Sequence, residues 1–344
     1  MGGWGNMVVL VTGAAGFIGS HVVKLLLERG LQVRATARNI EQAKFLDLFP
    51  KKSEATLEIV QMDLLQFETV EKAVQGCSEV IHCAAALMID VQDAKKDVVD
   101  PSVIGTENLC AAIEKNPSIK TVIHTSSVAA IRTTTYQNGQ TFSNKDWCDD
   151  ATLASNPYGL AKAEAERTMR SFVEQSAELS REIRLITIHP SIVFGPVFGK
   201  RHLRGSMAYL NHYRSKMPFV LNSHLNFVDV RDVALAHIQA LTLGQDKARY
   251  ILHRKGMWMN EIGKTLRKLM PERRWPVVRL PSLLAMVMAV FHPRLTVKQV
   301  RTSVGRHVNY DVGDVEKSLN MKLKNIDETF KDSIESLDKL SRKV

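Results

Sequence analysis

Long apolar runs are missing from this chain. The longest, Leu283 to Phe291, is nine residues, whereas a membrane-spanning helix needs about 20. It reads as a buried helix or the wall of a pocket, and no membrane span is expected. Cysteine is scarce: Cys77, Cys83, Cys110 and Cys148 show no C-x-x-C or Cys/His metal spacing and follow no secretory leader. That pattern predicts reduced thiols in a cytoplasmic protein and no metal site. Asn6 stands where a myristoylation signal needs Ser or Thr, so Met1 to Asn6 reads as a flexible leader. Fixed-period repeats and low-complexity tracts are absent too, which excludes solenoids and propellers.

Acidic residues are outnumbered, 36 Asp+Glu against 46 Lys+Arg, for a formal net charge of +10. A basic balance is compatible with nucleic acid, a membrane surface or anionic small molecules. The cations are dispersed, apart from Lys200-Arg201-His202-x-Arg204 and Arg273-Arg274, and no groove-reading module accompanies them. A nucleic-acid partner is therefore not expected. At 344 residues and 45% hydrophobic content the chain can bury a large core. One doubly wound sheet with an appended lobe accounts for the length.

Apolar β-like runs alternate with helical patterns along most of the chain. Met7 to Val11, Gln32 to Ala37, Leu57 to Met62, Glu79 to Ala84, Thr121 to His124 and Arg184 to His189 read as strands. Phe67 to Val74, Val98 to Lys115 and Tyr158 to Ser176 read as helices between them. This predicts an α/β fold with parallel strands, right-handed crossovers and a ligand crevice beyond the strands' carboxyl ends. Gly195-Pro196 and Pro218 bracket a basic, aromatic segment without a clear strand. Asn226 to Leu241 restores a strand and helix, Arg249 to Leu252 adds a strand, and Asp327 to Leu340 reads as an amphipathic terminal helix. The expected division is a nucleotide-binding lobe of residues 7–195 and 226–253, with a smaller, C-terminal substrate lobe of 196–225 and 254–344.

Two patterns carry chemistry. Directly after the first strand comes Thr12-Gly13-Ala14-Ala15-Gly16-Phe17-Ile18-Gly19, followed by Val22, Leu25 and Leu26 at helical spacing and by Gly30 as a helix stop. Gly13 permits a tight strand-to-helix turn, Gly16 admits a pyrophosphate to the backbone, and Gly19 lets helix and strand pack closely. The helix N-terminus supplies free N–H groups. Gly13, Ala15, Gly16, Phe17, Ile18 and Gly19 are the candidate cradle of a dinucleotide. Arg38, at the end of the second strand, stands where NAD-specific sites place an acid. A guanidinium there pairs with a 2′-phosphate, so NADP(H) is the expected cofactor, with Lys44 as a second partner.

The second pattern is Tyr158-x-x-x-Lys162, 31 positions after Ser127. Residues at i and i+4 lie on one helix face, about 5–6 Å apart at Cβ. A nearby ammonium favours the phenolate and lowers the Tyr pKa toward working pH, so the phenol can exchange a proton with a carbonyl oxygen to which Ser127 donates. His21, His82, His124 and His189 lie at or near apolar strands without a carboxylate cluster, and read as structural.

Glycine turn, strand-end Ser127 and Tyr-x-x-x-Lys together resemble the extended short-chain dehydrogenases/reductases, and among them the dihydroflavonol-reductase-like carbonyl reductases. The resemblance runs from Met7 to Leu340. It includes Met62-Asp63-Leu64, Val80-Ile-His-Cys-Ala-Ala-Ala86, His189-Pro-Ser-Ile-Val-Phe-Gly-Pro196 and Phe227-Val-Asp-Val-Arg-Asp232. It implies a Rossmann-type nucleotide lobe, NADPH, and reduction of an aldehyde or ketone by Ser127, Tyr158 and Lys162, with Lys162 and Tyr158 also touching the cofactor. By the same resemblance Asp63 and Leu64 lie along the adenine, Ala84, Ala85 and Ala86 along the ribose path, and Pro190 and Val193 beside the nicotinamide. Two departures argue against a flavonoid or cinnamoyl-CoA substrate. Arg132 replaces the Asn or Asp that grips a flavonoid, and Asn156-Pro157-Tyr158 does not reproduce the cinnamoyl-CoA reductase motif.

Other uses of such a site are hydroxysteroid dehydrogenation, nucleotide-sugar epimerisation or dehydration, and NADP sensing without reaction; the Tyr-Lys pair disfavours the last. Apolar residues after strand ends, Leu87, Met88, Ile131, Phe194, Phe198 and Phe227, are the candidate substrate walls. Arg132, Lys200, Arg201, His202 and Arg204 either attract an anionic substrate or face solvent. A small carbonyl compound is the expected partner of a monomer or homodimer.

Overall fold

Among the described residues, the central sheet has seven strands: β1 (Val8–Thr12), β2 (Gln32–Ala37), β3 (Thr56–Gln61), β4 (Glu79–His82), β5 (Thr121–Thr125), β7 (Arg184–Pro190) and β11 (Arg249–Leu252). The computed structural model describes residues 7–85, 91–214, 219–281 and 304–342. The leader Met1 to Asn6, Pro218 and the apolar run Leu283 to Phe291 lie outside the described residues. Strand order is β11-β7-β5-β4-β1-β2-β3, and all neighbours are parallel.

Alternation along the strands explains why helices cover both faces. Val9, Val11, Ile81, Ile123 and Ile186 belong to one buried cluster, and their neighbours Leu10, Val80, Val122 and Leu185 to another. Strands apolar on both sides need cover on both sides. Helices α1 (Phe17–Glu28) and α6 (Val230–Ala240) pack over the first cluster. Helices α2 (Phe67–Val74), α3 (Asp100–Glu114) and α4 (Pro157–Glu178) cover the second.

A smaller sheet carries the rest: β8 (Ile192–Phe194), β10 (His224–Asp229) and β12 (Lys255–Trp258), with β10 parallel to β8 and antiparallel to β12. Over it lie α5 (Met207–Tyr213), α7 (Met259–Leu269) and the terminal helix Ile326–Arg342, sharing a core around Phe194, Phe227 and Phe330. Paired two-residue strands β6 (Thr141–Phe142) with β14 (Asn309–Tyr310), and β9 (Phe219–Val220) with β13 (Val278–Arg279), complete the fold. The expected β2, α2 and β11 agree with the sequence reading to the residue. The helix expected from Val98 begins instead at Asp100, behind a π-turn at Lys95–Val99.

Strand order reverses at β1, which has β2 on one side and β4 on the other. A crevice opens at such a switch point, and the glycine turn lies in it. Gly13 has φ +63, and a Cβ there would stand 2.8 Å from Ala84 Cα, on the strand end of β4. Thr12 locks this approach by accepting the Ala84 N–H at 3.1 Å. A Cβ on Gly19 would stand 2.3 Å from the Gly13 carbonyl oxygen. Gly13→Ala therefore combines left-handed strain, about 1–2 kcal/mol, with a backbone clash. We expect a loss of at least that size in urea unfolding; a wild-type midpoint would contradict the packing described here.

Candidate active site

Helix α4 starts where its sequence says it should. Asn156 caps it by accepting the Gly159 N–H at 3.0 Å, and Pro157 occupies its first position. Tyr158 thus falls in the first turn, with Lys162, Glu166 and Arg170 following at four-residue steps along one face. Opposite lies the end of β5, where the Ser127 hydroxyl caps a short 3-10 turn by accepting from Ala129 N at 3.1 Å. Lys162 Nζ donates to the Thr125 carbonyl at 3.0 Å.

The electrostatics differ from the sequence expectation. Burial pushes the Tyr158 phenol above its ordinary value, and a hydrogen bond with Ser127 only partly opposes it. Burial lowers the pKa of Lys162 itself to about 8, against the attraction of Cys83 and Glu166. Burial is the dominant influence on the phenol, and the ammonium is held at the Thr125 carbonyl. Tyr158 is therefore a neutral acid at physiological pH. His82, brought to about 3 by burial and by Lys162, and His124, also well below its usual value, are uncharged neighbours of that ammonium.

Sequence reasoning missed the group beneath this site. Glu166 is completely buried and accepts from Ser126 Oγ (2.7 Å), His189 Nε2 (2.7 Å), Arg249 Nε (2.8 Å), Arg170 Nε (3.1 Å) and Thr187 Oγ1 (3.3 Å). Burial would raise its carboxyl, but His189, Arg249 and Arg170 hold it well below the usual carboxylate range. Arg249 also donates to the Asn144 and Asp146 carbonyls and stacks on Trp147 with its guanidinium carbon 3.8 Å from the ring centroid. One carboxylate thus joins α4, β5, β7, β11 and the loop before α4. The available signal was Glu166 standing one further step of four beyond Lys162.

The dinucleotide crevice lies along the glycine turn. Gly16 N bonds Gly13 O at 2.8 Å, Ser20 N is the first to bond back into α1, and neither a capping side chain nor an acidic residue occupies the first turn. The N–H groups of Phe17, Ile18 and Gly19 are left for an anion, a fit for a pyrophosphate. Ala15 carries the carbonyl that His202 Nε2 meets at 3.2 Å. Ala84 and Ala85 follow β4 beside Gly13, whereas Ala86 lies outside the described residues. Asp63 accepts from Leu65 N at 3.1 Å, and Leu64 packs against Gly105. Asn108 donates to the Leu64 carbonyl at 2.7 Å. Pro190 ends β7, and Val193, in β8, is buried. Arg38 is exposed, while Lys44 is paired with Glu41 at 2.6 Å. Arg34 is taken up by Glu58 at 2.6 Å and the Ala73 carbonyl at 3.0 Å.

The expected substrate walls need correction. Phe194 and Phe227 are fully buried in the core of the smaller sheet, with ring centroids 5.3 Å apart, and Ile131 is fully buried with Phe142 and Ile251. Phe198 packs on His21 (4.4 Å) and Phe49 (4.8 Å), beside the glycine-turn helix. Phe194, Phe227 and Ile131 are thus spent on core packing and do not line an open crevice. Leu87 and Met88 lie outside the described residues. Arg132 stands over the Tyr136 ring at 5.4 Å. No group of three His, Cys, Asp or Glu is placed to hold a metal ion, and no helix is long and apolar enough to cross a membrane, among the described residues.

Glu166→Gln keeps the volume but leaves Arg249 and Arg170 facing a neutral amide. Breaking a buried ionic cluster from one side costs about 3–5 kcal/mol. Urea unfolding is expected to show a loss in that range, and a change below about 1 kcal/mol would mean that the carboxylate does not hold the β5 end.

Comparison with known proteins fits this architecture. The sequence profile of the NAD dependent epimerase/dehydratase family matches residues 9–252. A cinnamoyl-CoA reductase from Medicago truncatula is 34% identical over 278 residues, covering 78% of this chain and 82% of that protein. The yeast methylglyoxal/isovaleraldehyde reductase Gre2, solved with NADPH, is 27% identical, with a TM-score of 0.79 over 98% of this chain and 100% of that one. Gre2 from Candida albicans, also with NADPH, is 26% identical, with a TM-score of 0.80 over 97% and 99% of the two chains. With its parallel sheet, its glycine turn at the strand-order reversal and its matched profile, the chain belongs to the NAD dependent epimerase/dehydratase family.

Proposed function

We propose that the chain is an NADPH-dependent reductase of the carbonyl group of an aldehyde or ketone, with Tyr158 as the proton donor. The observation that carries this reading is the convergence of a neutral Tyr158, Ser127 and Lys162 at the end of β5. Relatives named as reductases, two of them solved with NADPH, support it. In this reading the seven-stranded sheet and its helices hold the cofactor and the smaller sheet with its helices borders the substrate; β8 and β10, expected in the nucleotide lobe, belong to this smaller sheet. Gly13, Gly16 and the free N–H groups of Phe17, Ile18 and Gly19 take the pyrophosphate, and Arg38 takes the 2′-phosphate. The bound cofactor supplies a hydride. Four unpaired cysteines support a reducing, cytoplasmic setting.

The residues of the chain then do the rest. Ser127 donates to the carbonyl oxygen and polarises it. Tyr158 passes its phenolic proton to that oxygen as negative charge develops, so the product leaves as the alcohol. Lys162, held by the Thr125 carbonyl, places a cation near the phenolate that remains and lowers the cost of forming it. Arg132 and Asn156-Pro157 point to a carbonyl compound other than a flavonoid or a cinnamoyl-CoA thioester.

Tyr158→Phe keeps the ring and removes the proton. Turnover is expected to fall by roughly 10²–10⁴ with NADPH affinity, read by fluorescence titration, close to wild type; near-normal turnover would exclude Tyr158 as the acid. Arg38→Asp places a carboxylate where the 2′-phosphate binds. The Kd for NADPH is expected to rise by at least about ten-fold, and an unchanged value would remove Arg38 from the site.

A further inference from the structure

The basic loop that follows β8 does not stand apart from the nucleotide crevice. Its 3-10 turn Lys200–Leu203 is clamped onto the glycine turn and the neighbouring 45–49 segment by His202. Nε2 of His202 meets the Ala15 carbonyl at 3.2 Å, and its ring lies 5.6 Å from Phe17 and 5.9 Å from Phe45. Phe198 fixes the start of the same loop on His21 and Phe49, and His21 Nε2 meets the Pro196 carbonyl at 2.9 Å. The clamp brings Arg201 Nη1 to 3.0 Å from the carbonyl of Gln42, in the Ile40–Gln42 turn two residues beyond Arg38.

We propose that Arg201 and Arg38 together form the site for the 2′-phosphate of the cofactor, so that this phosphate is gripped from the loop after β8 as well as from the end of β2. The inference rests on the NADPH reading above. Arg201, Arg38 and Arg204 make no ion pair with an acidic side chain among the described residues. Burial lowers Arg201, and the charges of Arg38 and Arg204 lower it further, which is the signature of cations gathered without an anion. A phosphate monoester dianion relieves that repulsion and accepts from both guanidinium groups. Arg201 is thereby assigned to the cofactor and not to an anionic substrate, and the selectivity for NADP depends on a loop outside β2.

Calorimetric titration of the intact protein with NADP+ and with NAD+ tests this, comparing wild type, Arg201→Gln and Arg38→Gln. Arg201 is exposed, so its replacement leaves the core intact. Losing one charge-assisted contact should weaken NADP+ binding about ten- to a hundred-fold and lower the ratio of NADP+ to NAD+ affinity by nearly as much. If Arg38→Gln lowers the ratio and Arg201→Gln leaves it at the wild-type value, the inference fails and the NADPH reading stands. A loss for both nucleotides alike in Arg201→Gln makes Arg201 a brace of the loop and also overturns the inference. If neither variant lowers the ratio, the 2′-phosphate assignment itself is wrong.

Discussion

The Glu166 carboxylate is the interaction on which the rest of the site depends. Deep burial of a charge is costly unless hydrogen bonds and opposite charges meet it, and here five donors do. Those donors come from the end of β5, from β7, from β11 and from α4 itself, so the cost is offset only when all of these elements are in register. Ser126 is one of the five. Its neighbour Ser127 and the Thr125 carbonyl that holds Lys162 are thereby fixed relative to the helix that carries Tyr158. The geometry proposed to be catalytic is thus coupled to satisfying one buried ion.

The same logic sets the protonation states around the reacting position. Burial raises Tyr158 and lowers Lys162, His82 and His124, so the centre holds one ammonium and otherwise neutral groups above the Glu166 carboxylate. A neutral phenol suits the reductive direction, in which a proton must be given as negative charge appears on oxygen. A second constraint operates at the glycine turn. An aromatic cluster of Phe17, His21, Phe45, Phe49, Phe198 and His202 fastens the loop after β8 to that turn, which ties the smaller sheet to it.

Much of this was legible in the sequence wherever a local period carried it. β2, α2 and β11 follow from strand and helix periodicity, and the glycine turn follows from three glycines, two of which, Gly13 and Gly19, leave no room for a Cβ. Tyr158 and Lys162 follow from a spacing of four. Glu166 repeats that spacing but reads as a solvated charge, because its partner Arg249 lies 83 positions away and only the sheet order brings them together. β12 was hidden because Lys255 and Gly256 break the alternation. Phe194, Phe227 and Ile131 were misplaced because an apolar residue after a strand serves a core as well as a pocket, and sequence alone does not say which helix will cover it.

Net reduction of a carbonyl at the β5 end differs from cofactor-recycling chemistry, in which the nucleotide is regenerated within each turnover. The most direct measurement is NADPH absorbance followed with a panel of aldehydes and ketones, with alcohol formation quantified in parallel and nucleotide sugars as the comparison. One NADPH is expected to be consumed for each alcohol formed with members of the carbonyl panel, with no turnover of the sugars. No net consumption with any carbonyl, together with interconversion of a nucleotide sugar at constant cofactor, would contradict it.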